Sequence, residues 1–456
     1  MTVRICLFTR DLRVADQPVL FAASAGGREE VLPVFVADPA VAAAGFAAPN
    51  RLAYLHDCLA ALESTLRDRG SRLVVRGGAT AEVVARLVAE TGAAEVHLAA
   101  DHSAFARARD ARLRAAVGAL GARVVAHEGV LAAVAPGAVT PSGSDHYAVF
   151  TPYLRRWTGV PLRRPLPPPR LLLTPEEPAS EGLPPRPHAA LLSPRLAAGG
   201  EARARARMRD WLGGHLDAYE DEHDALARDL TSRLSPDLHF GCVSPTELVH
   251  RARRSGTPGA AAFERQLAWR DFHGQVLAAR PDAAHADYRP RHDRWREAPD
   301  ELRAWQDGRT GYPLVDAGMR QLRAEGWMHN RARLVTASFL CKTLRLDWRE
   351  GARHFLSLLV DGDVANNQLN WQWVAGTGTD TRPNRVLNPV TQSKRYDPDG
   401  SYIRHWLPEL ARLSAPAIHE PWRLPTALRA ELDYPEPLVA PDAARERFRD
   451  RRGVGL

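Results

Sequence analysis

Lysine is nearly absent from this chain of 456 residues: Lys342 and Lys394 are the only two, so almost all of its 61 basic side chains are arginine. Cysteine is scarce as well. Cys6, Cys58, Cys242 and Cys341 stand far apart with no CxxC pair, so neither a disulfide framework nor a thiolate metal cluster is indicated. No apolar run is long enough to cross a bilayer. The opening MTVRICLFTRDLR has neither the basic and apolar stretches nor the small-residue cleavage site of a secretory leader. These absences point to a cytoplasmic protein with no membrane partner, expected to be a monomer. No GxGxxG follows the first apolar run, which excludes an ordinary dinucleotide site there. No internal repeat is visible.

What the chain does have is positive charge. A formal net charge of +7 and a pI near 9.5 suggest an anionic partner. Arginine suits phosphate because its planar fork donates two hydrogen bonds at once. A GC-rich coding sequence produces the same arginine bias, so charge alone leaves nucleic-acid binding as one of two readings.

The apolar runs Val3–Phe8, Val31–Val36, Leu73–Val75, Val96–Ala99 and Val124–Ala126 read as five strands. Helical patterns separate them near Gln17–Ala25, Arg51–Arg69, Thr80–Glu90 and Phe105–Leu120. This alternation predicts an α/β domain over residues 1–130, a doubly wound parallel five-stranded sheet. Residues 131–200 read as an interdomain linker, with Pro161–Pro187 too rich in proline for a continuous helix or central strand. From Glu201 to the end, Ala, Leu, Arg and Trp recur at helical spacing, so 201–456 is expected to be all-helical. Ser244-Pro245-Thr246-Glu247 is a capping box with Pro at the first helical position.

Trp269, Trp295, Trp305, Trp348, Trp371 and Trp373 fall in one stretch of this helical half. Indoles serve core packing, but neighbouring indoles also pass electrons over short gaps. Beside Trp371-Gln372-Trp373 runs the polar Asp361-Gly362-Asp363-Val364-Ala365-Asn366-Asn367, and such groups are seldom buried without a partner or a ligand. Thr231-Ser232-Arg233-Leu234-Ser235-Pro236 offers hydroxyls and amides before a helix, either an anion cradle or a simple cap. Asn330 and Arg333, three apart, share a helix face, and Arg333 is a candidate partner for Asp361, the alternative being a solvated arginine.

Taken together, FTRDLRVADQPVL, TSRLSPDLHFG, WRDF, TGYPLVDAGMRQL, GWMHNRARL, DWREGARHF, DGDVANNQLNWQW and NPVTQSKRYDPDG resemble the DNA photolyase and cryptochrome family, most closely the bacterial class I cyclobutane-dimer photolyases. The resemblance runs along the whole chain except the proline-rich linker. It implies light-driven repair of pyrimidine dimers in damaged DNA, by electron transfer from excited, reduced FAD to a flipped dimer. Matched residue by residue, it implies that Tyr219, Thr231, Ser232, Arg233, Leu234 and Ser235 hold the FAD ribose and phosphates. Arg270, Arg333, Asp361, Gly362 and Asp363 also fall to the cofactor, with Arg333 and Asp361 as an ion pair beside the isoalloxazine and Asn367 facing its N5. Trp371, Trp348 and Trp295 match a three-member electron chain from flavin to surface. Trp269 and Trp373 match the walls of the dimer pocket, and Asn330 and Arg331 match residues on the lesion strand.

Gln266 departs from the pattern, because most bacterial members carry Glu there. Gln can donate a hydrogen bond to the dimer but cannot share a proton. The (6-4) photolyases also have Gln, yet they need a His pair where this chain has Asn330 and Leu334, which disfavours (6-4) chemistry. For a second chromophore, Asp101 matches a contact of members that bind 8-hydroxy-5-deazaflavin, while Ser103 stands where folate-binding members carry Glu. The sheet's carboxyl edge is where such folds gather ligands; equally, Asp101 caps the following helix. The rival functions are a cryptochrome-type blue-light sensor and a non-photochemical electron-transfer flavoprotein. Asn367, where plant cryptochromes carry Asp, and the short tail after the last matched segment both favour repair.

Overall fold

Each of the five β-branched runs forms a strand in the computed structural model, which describes residues 2–26 and 29–440. They are β1 (Val3–Phe8), β2 (Glu30–Ala37), β3 (Val74–Gly77), β4 (Glu95–Ala99) and β5 (Arg123–His127). All pair in parallel, in the order β3-β2-β1-β4-β5. The order reverses direction beside β1, the switch point at whose carboxyl edge folds of this kind gather ligands. Ile5, Leu7, Val34, Val96 and Leu98 are fully buried in the sheet core, as expected for strands covered on both faces.

The described chain divides into two compact units. One holds the residues up to 191, then 197–220 and 232–281; the other holds 192–196, 221–231 and the chain from 282 onward. These units cut across the spans 1–130, 131–200 and 201–456 expected from composition. The helices Glu201–Gly214, Pro245–Ser255 and Pro258–Ala279 group with the sheet, and buried polar contacts explain why. The Glu201 carboxylate accepts from the Val14 and Ala15 amides at 2.7 and 2.9 Å. Asp237 accepts from the Tyr54 hydroxyl at 2.6 Å and from Arg207. Composition does not reveal such long-range pairings.

Ser244 does cap its helix, accepting from the Glu247 amide at 3.2 Å. The reciprocal arm of the box is missing, because the Glu247 carboxylate is held by Arg205 and Arg251 instead. Two guanidinium ions outbid one backbone N–H for a carboxylate. The proline-rich stretch contains no helix or strand between 159 and 188. It runs beside the sheet: Leu173 bridges to Glu30, and the Glu181 amide donates to the Val75 carbonyl at 2.9 Å.

The second unit is helical and built around indoles. Trp305, Trp348 and Trp371 are at most 2 % exposed and join Phe339, Leu340 and Phe355 in one core, against which Trp295, Leu334 and Trp373 pack. A π-helical turn, Phe339–Leu344, carries Lys342 into this core. Its ammonium is fully buried and donates to the Ala375 and Pro383 carbonyls at 2.9 and 2.8 Å. Ala375 ends the helix Val364–Ala375, where free carbonyls favour a cation.

Candidate active site

In the second unit, the helix Asn330–Ser338 starts on His329, whose ring nitrogen accepts from the Arg331 amide at 3.2 Å. One turn on, Arg333 donates from Nε to the Met328 carbonyl and from Nη2 to Asp361 Oδ2, both at 2.8 Å. The Asp361 side chain is only 4 % exposed, and its other oxygen, Oδ1, is buried with no hydrogen-bond partner. Burying an acceptor without a donor costs ~1–3 kcal/mol, more for a charged one. An N–H or O–H placed beside it would remove that cost.

Gly362 links this aspartate to Asp363, which caps the next helix by accepting from the Asn366 amide and side chain at 2.9 and 2.8 Å. That helix, Val364–Ala375, carries Asn367 and Trp371. The Asn367 amide group donates to the Ala352 carbonyl at 3.1 Å and to Gln368 Oε1 at 3.0 Å, while Gln368 Nε2 donates to the Ala284 carbonyl. Both amide hydrogens of Asn367 are thus committed. Gln372, fully buried, ties the same helix to residues 283–288 through Ala283, Ala286 and Tyr288.

The Trp371 ring meets Phe355 edge-on at 4.9 Å and Trp305 edge-on at 6.0 Å. It also lies on Gly351, where an added Cβ would sit 2.2 Å from the ring. Gly351 is three residues, about one turn, beyond Trp348 on the helix Trp348–Leu358. Trp295 is half-buried on the same core, in a segment fastened by Arg296 to the Leu344 carbonyl. Trp373 is half-buried, with the Arg385 guanidinium 5.2 Å from its ring centre. Asn330 is exposed and Leu334 half-buried. Arg331 is turned onto Asp224, at 2.5 Å, and over the Tyr396 ring. Thr231 also falls in this unit, its hydroxyl 3.4 Å from Asp229.

The first unit holds the remaining sequence-predicted residues. Tyr219 is buried, its ring edge-on to Trp211 and Phe263. Ser232 accepts from the Leu234 amide at 3.4 Å, and Arg233 adopts a left-handed φ of 48°, a conformation that costs energy for a side chain of this kind. Ser235 opens the helix Ser235–His239 without a side-chain cap. On the helix Pro258–Ala279, Gln266 and Trp269 are half-buried, and Arg270 donates to the Leu131 and Leu238 carbonyls. Phe150 lies flat on Trp269, ring centres 3.7 Å apart and 9° from parallel. At the sheet's carboxyl edge, Asp101 accepts from Arg10 at 2.8 Å and from the Ser103 amide at 2.9 Å. Burial raises its carboxyl pKa, but Arg10 and the Ser103 N–H outweigh that and hold it below the usual carboxylate range.

Three side chains escaped sequence reasoning. Phe150 gave no signal, since nothing in its spacing ties it to Trp269. Arg385 lies in a loop of ordinary polar composition. Asp287 receives the Trp348 indole N–H at 2.8 Å from 61 residues away, a pairing no local pattern reveals.

The unmet Asp361 oxygen beside the fixed Arg333 guanidinium fits a flavin: an acceptor and a positive charge sit together, and a flavin ring has both an N–H and negative charge to place. Comparison with known proteins agrees. The family profile described as DNA photolyase matches residues 4–170, and the FAD binding domain of DNA photolyase matches 263–453. A deoxyribodipyrimidine photo-lyase of Streptomyces griseus is 60% identical over 455 residues, covering 100% of both chains. Its Escherichia coli counterpart is 36% identical, over 98% of this chain and 97% of its own. The crystal structure of a bacterial class III photolyase from Agrobacterium tumefaciens superposes with a TM-score of 0.91 at 34% identity, covering 99% of this chain and 97% of that one. The chain belongs to the DNA photolyase family.

Proposed function

We propose that this protein repairs pyrimidine dimers in DNA by light-driven electron transfer. The observation that carries the reading is the pair of half-buried Arg333 and buried Asp361 with one acceptor oxygen left open, in a chain matched end to end by enzymes of that name. Bound and reduced, FAD supplies the photoexcited electron that splits the cyclobutane ring. Arg333 and Asp361 would hold the ring system, Asn367 would offer it a carbonyl rather than an acid, and Tyr219 with residues 231–235 would take the ribose and phosphates. Trp371, Trp348 and Trp295 would pass electrons inward from the surface to recharge the site.

Trp269 and Trp373 would wall the dimer pocket, where stacking is worth ~1–3 kcal/mol per base and a damaged pair is cheap to flip. Gln266 would donate its NH₂ to the dimer carbonyls. Arg331, already held by Asp224, would meet the strand as a fixed charge. Among the described residues no helix is long and apolar enough to cross a membrane, and the basic balance suits a phosphate partner. A second chromophore at the sheet edge would be a deazaflavin rather than a folate, since position 103 is Ser. Both Asp101 oxygens already have donors, so the aspartate would shape that edge through Arg10.

The test is an oligonucleotide carrying one cyclobutane dimer, incubated with protein in light and in darkness, with a (6-4) lesion alongside. Restoration of the cyclobutane substrate in light alone is expected. Turnover in darkness, or of the (6-4) lesion only, would reject the reading. With oxidised FAD bound, Trp348→Phe should block photoreduction yet spare repair after chemical reduction; wild-type photoreduction in that variant would remove Trp348 from the route.

A further inference from the structure

Two buried indoles share the core of Trp371, and their N–H groups meet different partners. Trp305, whose ring centre is 6.0 Å from that of Trp371, donates to a neutral backbone acceptor, the Thr336 carbonyl, at 3.1 Å. Trp348, one helical turn from the glycine on which Trp371 rests, donates to the Asp287 carboxylate at 2.8 Å. Both indoles are fully buried. Loss of an electron leaves an indole positively charged with an acidic N–H. A carboxylate at that N–H stabilises the charge directly, in surroundings that screen it less than water does. A carbonyl dipole does so far more weakly.

One group opposes this. The Arg349 guanidinium lies 4.8 Å from the Trp348 ring centre and disfavours positive charge there. Arg349 is itself bound by two carboxylates, Asp287 at 3.1 Å and Asp347 at 3.0 Å. Two negative charges against one positive leave the cluster at a net −1. The balance around Trp348 therefore favours a positive indole.

We propose that Asp287 is the positioning residue that makes Trp348, and not Trp305, the electron donor to Trp371. The inference rests on the Trp371–Trp348–Trp295 route proposed above. In the step itself, one electron leaves Trp348 and neutralises oxidised Trp371. The positive charge comes to rest on Trp348, whose N–H proton is shared along the hydrogen bond to Asp287 Oδ1. An electron from Trp295 then restores Trp348.

The experiment uses full-length protein with oxidised FAD bound and follows tryptophan oxidation by transient absorption after a flash. Asp287→Asn keeps an acceptor of the same size but removes the charge. It should slow hole arrival at Trp348 by about tenfold, equivalent to about 1.4 kcal/mol of barrier, and Asp287→Glu should restore most of the rate. Arg349→Met removes the opposing cation and should shift the rate the other way. Trp305→Phe should leave the route untouched in the wild-type background. A readout independent of light is the indole N–H resonance of Trp348, identified by its loss in Trp348→Phe; it should move upfield in Asp287→Asn. If Asp287→Asn transfers at the wild-type rate while Trp348→Phe blocks transfer, the route stands and the role of Asp287 is refuted. If Trp348→Phe transfers normally, the route falls and this inference with it. If Asp287→Glu is as slow as Asp287→Asn, charge is not the cause and the proposal fails.

Discussion

Each compact unit holds an arginine–aspartate pair at 2.8 Å: Arg10 with Asp101 at the sheet edge, and Arg333 with Asp361 among the helices. Both carboxylates are sheltered, at 11% and 4% side-chain exposure. At Asp101 both oxygens have donors, Arg10 on one and the Ser103 amide on the other, and Ser103 goes on to cap the helix that follows by accepting from the Ala106 amide. At Asp361 one oxygen is buried and unmet. The ion pair is therefore not what marks a ligand site. What sets the two carboxylates apart is the leftover valence at Asp361.

Breaking both pairs sets the comparison its hardest test. Asp361→Ala leaves Arg333 without its carboxylate and removes the open acceptor. Purified protein should retain at least about tenfold less FAD, with repair lost in proportion. Asp101→Ala should keep its flavin absorbance and lose only stability, about 1–2 kcal/mol in urea unfolding, for one partly exposed ion pair and one helix-entry hydrogen bond. Equal flavin loss in the two variants would erase the distinction.

A smaller effect sharpens the same idea with apolar surfaces. Trp269 has Phe150 against its ring and still stays half-exposed, so the stack is a platform with surface to spare. Phe150→Ala should weaken binding to dimer-containing DNA by up to about tenfold, the range of one aromatic pair, and leave undamaged DNA unaffected; Phe150→Tyr should bind as wild type. Parallel losses on both DNAs would make Phe150 a general packing residue.

The smallest expected effect is on pH. The folded protein holds the Asp101 carboxyl below its ordinary value of 3.8. Its contribution to stability is therefore complete above that value and disappears as pH falls through the depressed one. Wild type should lose stability below about pH 4 more steeply than Asp101→Asn, read from urea midpoints at stepped pH. Identical acid profiles would show that the pair contributes nothing to folding.

These pairs also show what a sequence discloses. The five strands were legible because β-branched runs alternate with helical stretches, a local property that tertiary packing seldom overrides. The start of the Pro245 helix was legible from Ser244. Glu247 was misread because its partners Arg205 and Arg251 outcompete the backbone, and one of them lies 42 residues away. The pairing of Arg333 with Asp361 could be suggested from motif and charge. That one Asp361 oxygen is left over could not, because satisfaction is counted over every neighbour in space. The same holds for Asp287 and Trp348, and for the helices after Glu201 that join the sheet through buried carboxylates.

The burial of Lys342 has a practical consequence. With that ammonium sealed in the indole core between two carbonyls, and with only one other lysine in the sequence, amine-reactive reagents find a single lysine side chain on the folded protein. That is Lys394, half-exposed beside Glu420. A fluorophore coupled there reports from one known point on the helical unit, with no engineered cysteine and no disturbance of the tryptophans. A second lysine becoming reactive would signal that the core around Lys342 had opened.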